Sequence, residues 1–126
     1  MSGYAFDANI VIDAMAGFPL ARAEIQRAVA LGQRPWISRM AWVEVLSKGS
    51  DVIVRDAAAF LARFGLDEID NEISHRAAAL RRERPRLKSP DAIILATAQI
   101  RGRVLVTRNT KDFPAEMPGI RVPYIL

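Results

Sequence analysis

Four acids in this sequence stand where local chemistry gives them little reason to be. Asp7 interrupts the apolar stretch YAFDANIVID, and Glu44 lies among Met40, Ala41, Trp42, Val43, Val45 and Leu46. Asp91 opens the segment DAIILATA behind Ser89-Pro90, and Asp112 follows VTRNTK. A carboxylate withdrawn from water without a partner either destabilises the fold or shifts its pKa until it is neutral. Each acid also has an ordinary local reading: Asp7 can cap a helix and Glu44 can face solvent. Asp91 suits the positive end of a helix, while Asp112 and Asn109 suit a turn. Gathered at one place, however, carboxylates raise each other's pKa unless a divalent cation compensates them. Asp7 is therefore expected to tolerate its apolar surroundings by facing Mg²⁺ or Mn²⁺.

Composition narrows the chemistry. The chain has 126 residues, with no cysteine and His75 as its only histidine. Disulfides, thiolate nucleophiles, Cys-based zinc sites and His-based triads are excluded, so any metal must be held by oxygen, as hard cations prefer. About half the residues are hydrophobic and a quarter charged, which excludes wholesale disorder. A net charge of +4 favours a polyanionic partner, although it also serves solubility. The start lacks a basic n-region, and no uninterrupted apolar run reaches the roughly 20 residues a bilayer span needs. The expectation is a cytoplasmic protein without a membrane partner.

The elements that must position these acids follow from periodicity and punctuation. Tyr4 to Phe6 reads as a buried strand leading into a helix from Ala8 to Met15, and LARAEIQRAVAL as a second helix closed by Gly32. PWIS reads as a strand, with Ser38 capping the helix RMAWVEVLSK. A helix from Val52 to Phe64 follows, with Ile53, Ala57, Phe60, Leu61 and Phe64 expected in the core or at a homodimer contact. LDEI reads as a short strand, and Asp70 caps NEISHRAAALRRER. Ser89-Pro90-Asp91 starts the next helix with a cap, VLVT is a buried strand, and IRVPYI a last edge strand. Residues 1–126 are expected to form a single domain, since no linker, repeat or low-complexity segment divides them. Alternating strands and helices predict an α/β fold with a parallel sheet and helices on both faces, where function gathers at the carboxyl ends of strands. Asp7 and Asn109 or Asp112 follow strands, and Asp91 opens the helix before VLVT, so these positions converge on one edge.

In their order and spacing, FDANIVID, AWVEVL, SPDAIILATA and LVTRNTKDF resemble the PIN-domain nucleases, specifically the VapC-type toxins of toxin–antitoxin pairs. The resemblance implies a three-layer α/β/α sandwich around a short, mainly parallel sheet, and a metal-dependent endoribonuclease activity. It implies Asp7, Glu44 and Asp91 as principal acids, with Asp7 and Asp91 as metal ligands. Glu44, Asn109 and Asp112 are further possible ligands, and Asp112 is included among the catalytic acids. Many relatives carry an acid where this chain has Asn109, and commonly Thr where it has Ala8. A homodimer and a cognate antitoxin on a separate chain are further implications.

The required chemistry is attack of water on a phosphodiester, with the ion lowering the water's pKa and neutralising phosphate charge. Basic residues near the acids are candidates for RNA contact: Arg81, Arg82, Arg84, Arg86 and Lys88 before Asp91, and Arg108 and Lys111 around Asn109. A solvated helix end accounts for the first group equally well. Thr107 suits either a phosphate contact or an ordinary strand end. Trp36 and Trp42 are expected in the core rather than as stacking platforms, and His75 is assigned no chemistry. A receiver-like signalling domain shares the alternation, but it needs an acid pair after the first strand, and Asp7 has no acidic neighbour. A catalytically weak PIN-fold protein that binds RNA or a partner is the alternative function.

Overall fold

The computed structural model describes residues 3–126. In chain order the elements are β1 (Tyr4–Phe6), α1 (Ala8–Met15), α2 (Pro19–Ala30), β2 (Pro35–Ser38), α3 (Arg39–Val45) and α4 (Asp51–Leu61). There follow β3 (Gly65–Asp67), α5 (Asn71–Glu83), α6 (Ser89–Arg101), β4 (Val104–Val106) and β5 (Ile120–Arg121). The five strands form one sheet in the order β3-β2-β1-β4-β5, and every pairing is parallel. This is the α/β architecture expected, with an entirely parallel sheet.

Local chemistry sets the helix starts. Ser38 Oγ accepts from the Ala41 N–H and Asp70 Oδ1 from that of Ile73, each satisfying a donor the first turn leaves open. The α6 start differs from expectation: Lys88 holds the N-cap position without a side-chain bond, and Ser89 and Pro90 lie inside the first turn. The final strand is shorter than IRVPYI suggests, ending at Arg121, because Pro123 cannot donate to a ladder.

The connections set the location of the site. The chain steps outward from β1 to β2 to β3, then returns across the sheet to β4 on the other side of β1. Right-handed crossovers then place α5 and α6, packed on one another, opposite α1 and α2. The crevice opens where this direction reverses, at the carboxyl ends of β1 and β4. Tyr4 and Phe6 pair with Val104 and Val106, and the Asp7 N–H donates to the Val106 carbonyl at 2.9 Å.

Phe6, Ile10, Ile37, Ile73, Ile94, Leu95, Leu105 and Phe113 fill the core. Ala57, Leu61 and Phe64 join them as expected, whereas Ile53 does not, being 52% exposed beside Gly49. Trp36 and Trp42 are half-buried, each under a guanidinium: Arg103 lies 3.6 Å from the Trp36 ring centre and Arg39 4.6 Å from that of Trp42. No helix among the described residues is long and apolar enough to cross a membrane.

Gly65 pairs with Trp36, and a Cβ on it would stand 2.4 Å from the indole. Gly65→Ala is therefore expected to cost about 1–3 kcal/mol through overpacking. Urea denaturation checks this, and a negligible loss would mean that the indole moves aside freely.

Candidate active site

Asp7 turns out to serve both readings at once. It is the N-cap of α1, with Oδ1 accepting from the Ala8 N–H at 2.7 Å. Its Oδ2 accepts from Thr107 Oγ at 2.7 Å and from Asn9 Nδ2 at 3.3 Å. The residue is only 4% exposed, and burial pushes its pKa up despite these donors and the nearby Arg108. Thr107 is fully buried and also accepts from the Asn109 N–H and from Asn9 Nδ2. Its hydroxyl is thus committed to orienting Asp7.

Glu44, in the last turn of α3, and Asp91, in the first turn of α6, face the same cleft of about 560 Å³ as Asp7. Burial raises the Glu44 pKa, and the charges of Asp7 and Asp91 raise it further against a small offset from Lys48. Asp91 is pushed up to about 6 by burial, the charges of Asp112 and Asp7, and a hydrogen bond with Asp112, with only Lys88 opposing. A helix N-terminus ordinarily favours an ionised acid, so the surrounding carboxylates and burial outweigh it here. Of the expected acids, Asp7, Glu44 and Asp91 line one cleft, and Asp112 reaches it through Asp91. Among the described residues, however, no three such groups stand close enough to hold one ion as placed.

Asn109 lines the cleft, but its amide is occupied locally. Its Nδ2 donates to Asp112 Oδ2 at 3.0 Å while its Oδ1 accepts from the Asp112 N–H at 3.3 Å. The pair locks the turn that presents Asp112 to Asp91.

Two residues outside the sequence reading shape the site. Asn9 Oδ1 accepts from the Arg108 N–H while its amide reaches Asp7, so it ties the ends of β1 and β4 together. Asp13 receives Arg108 in a fork, Nε at 2.6 Å and Nη2 at 3.2 Å, and also the Tyr124 hydroxyl at 2.8 Å. Burial would raise Asp13, but these hydrogen bonds overcome it and hold its carboxyl below the usual range. The signal for Asn9 was its polarity within an apolar helix start; Asp13 had none, because its partners lie about a hundred residues away.

The expected basic contacts separate into groups. Arg108 lines the carboxylate cleft, and Lys88 lies near enough to act on Asp91. Arg81 donates to the Leu87 carbonyl at 3.0 Å, and Arg82 faces a groove between α5 and α6. Arg84, Arg86 and Lys111 line a separate concavity behind Asp112.

The raised pKa of Asp91 makes stability depend on pH. A carboxyl that folds with its pKa lifted from 3.8 to about 6 contributes stability below the lower value and loses it as pH rises through the upper one. Metal-free protein is expected to melt higher at pH 5 than at pH 7.5, and Asp91→Asn should flatten that difference. Asp13, Glu68 and Asp70 have lowered values and titrate below this window. Calorimetry showing the parent equally stable at both pH values would contradict the cleft electrostatics.

The PIN domain family matches residues 4–115 of the chain. Among solved structures, a toxin–antitoxin complex from Klebsiella pneumoniae contains a chain 40% identical to this one, with a TM-score of 0.84 over 98% of this chain and 99% of that one. DNA-bound VapBC from Salmonella typhimurium shares the fold at 24% identity, with a TM-score of 0.75 over 96% of each chain. VapBC2 from Rickettsia felis, bound to a promoter DNA fragment, does so at 21% identity and a TM-score of 0.74 over 93% of this chain and 94% of that one. No curated protein matches. A family match across most of the chain, joined to 40% identity over nearly the whole length of a relative, establishes that this protein belongs to the PIN domain family.

Proposed function

We propose that this protein is a divalent-metal-dependent endoribonuclease, the toxin of a toxin–antitoxin pair whose antitoxin is a separate chain, acting as a homodimer. The observation that carries the catalytic part is the cleft that gathers Asp7, Glu44 and Asp91 from three different elements, where burial raises all three pKa values and neighbouring carboxylates raise Glu44 and Asp91 further. Such a donor set, all oxygen and all anionic, fits Mg²⁺ or Mn²⁺. Asp7 and Asp91 would hold the ion, with Glu44 and Asp112 completing the site. When bound, the ion supplies an acidified water and charge neutralisation at the phosphate.

The chain's own residues do the positioning. Thr107, Asn9 and the Ala8 N–H fix both oxygens of Asp7, so little carboxylate reorientation is needed on binding. Glu44 orients the attacking water through its carboxylate. Asp13 keeps the Arg108 guanidinium at the cleft, where its charge meets the RNA backbone. The Klebsiella relative was solved as a toxin–antitoxin complex, which supports the partner assignment.

One observation favours a second reading, a weak or silent RNA- or partner-binding protein: Asn109 brings no charge and its carbonyl oxygen is engaged by Asp112. Incubating purified protein with Mn²⁺ and a structured RNA decides between them. Cleavage that requires Mn²⁺ is expected, together with a rise in melting temperature of the RNA-free protein. Ion at 100 times its dissociation constant adds roughly 2.7 kcal/mol. Stabilisation without cleavage would select the second reading, and neither effect would remove the metal site altogether.

A further inference from the structure

We infer that Arg84, Arg86 and Lys111 form a phosphate-binding subsite that grips the RNA backbone beside the carboxylate cleft, an inference that rests on the nuclease reading above. The three line one concavity with Pro85, Leu87 and Asp112, at the junction of the α5 end and the Asn109–Asp112 turn. Arg108, held by Asp13, serves the carboxylate cleft instead, and Arg81, bonded to the Leu87 carbonyl, lies outside the concavity. Among the described residues, none of the ion pairs involves Arg84, Arg86 or Lys111.

Arg84 supplies the sharper observation. Its Nη2 donates to the Asp112 carbonyl at 2.6 Å, while its Nη1 is buried and has no acceptor. A buried charged donor without an acceptor is costly, and an anion in the concavity would offset that charge without reaching Nη1 itself. A phosphate suits the place because its charge answers all three cations and the exposed side chains of Arg86 and Lys111 can donate to its oxygens. The one carboxylate lining the concavity, that of Asp112, is bonded to Asn109 Nδ2 and meets Asp91 on the other side. The turn therefore separates two adjoining places, one for the phosphate under attack and one for another phosphate of the same strand. Arg84 holds the backbone of the residue whose side chain reaches Asp91, so it is also a positioning residue for the cleft.

The test measures binding rather than cleavage. In an Asp91→Asn background, a fluorescein-labelled single-stranded oligoribonucleotide is titrated by anisotropy over a range of salt. Removing two exposed side chains with Arg86→Ala/Lys111→Ala is expected to reduce the magnitude of the slope of log K against log salt by about 1.4, at about 0.7 per lost phosphate contact. Arg55→Ala, at an exposed arginine of α4 lining neither the cleft nor the concavity, is expected to keep the slope. An unchanged slope in the double variant overturns the subsite, as does an equal loss in Arg55→Ala, which would mean bulk charge. Failure of the nuclease reading shows separately, as intact parental protein that leaves RNA uncut in Mn²⁺.

Discussion

Asp91→Asn is expected to lose RNA cleavage by at least about 100-fold, the rate equivalent of a few kcal/mol of lost charge stabilisation, while melting no lower than the parent in metal-free buffer. The two halves of this result come from one cause. At neutral pH the Asp91 carboxylate is held against burial and against the charges of Asp112 and Asp7. A neutral isostere relieves that repulsion and forfeits only the modest helix-end attraction, about 0.3–1 kcal/mol. Glu44→Gln should behave alike, since burial, Asp7 and Asp91 raise its pKa too. Asp7→Asn should also silence cleavage but melt lower. Its new amide would turn a donor toward Ala8, Thr107 or Asn9, all of which now donate to the carboxylate. Cleavage assays paired with thermal melts check all three. An Asp91→Asn protein that cuts RNA within a few-fold of the parental rate would remove Asp91 from the catalytic set.

The largest stability effect is expected at a pair that does not line the cleft. Asp67 accepts Arg103 in a fork, 2.7 Å from Nε and 2.9 Å from Nη2, with the two side chains 4% and 10% exposed. The guanidinium lies on the Trp36 ring, which in turn covers Gly65. Asp67→Ala removes the carboxylate fork from this buried cation and should cost about 3–5 kcal/mol. For a chain of this size that lowers the melting temperature by roughly 10–20 °C. Replacing both partners with apolar residues, Asp67→Leu/Arg103→Met, should cost much less, because the buried cation is removed together with its carboxylate. If the single and double variants melt together, the pair is solvated in solution and its burial carries no such cost.

These two sites mark where sequence reasoning reaches and where it stops. Ala8–Met15 was legible as a helix because its cap, period and terminating Gly17 all agree. Asp7, Glu44 and Asp91 were legible because each is an acid in apolar surroundings, and the alternation of elements said which edge they share. The sequence reading posed helix cap and metal-facing acid as rival explanations of Asp7, yet its two oxygens let one carboxylate cap α1 and face the cleft. Asp13–Arg108–Tyr124 and Asp67–Arg103 were not legible, since nothing local distinguishes a charged residue that meets its partner across the sheet. The basic run from Arg81 to Lys88 likewise reads as one patch, but the end of α5 turns Arg81 and Arg82 away from Arg84 and Arg86.

The hydrogen bond from Thr107 to Asp7 joins residues 100 positions apart. During synthesis at about 5–20 residues per second, Asp7 precedes Thr107 by roughly 5–20 s. Through that interval the central strand of the sheet lacks the neighbour that carries Thr107, Arg108 and the Asp112 turn. Glu44 and then Asp91 are already present, but Asp7 has no hydroxyl to orient it and Asp91 has no Asp112 beside it. The proposed constellation therefore comes into being only once β4 has been made and slots in beside β1. Until then the proposed site lacks the strand that completes it.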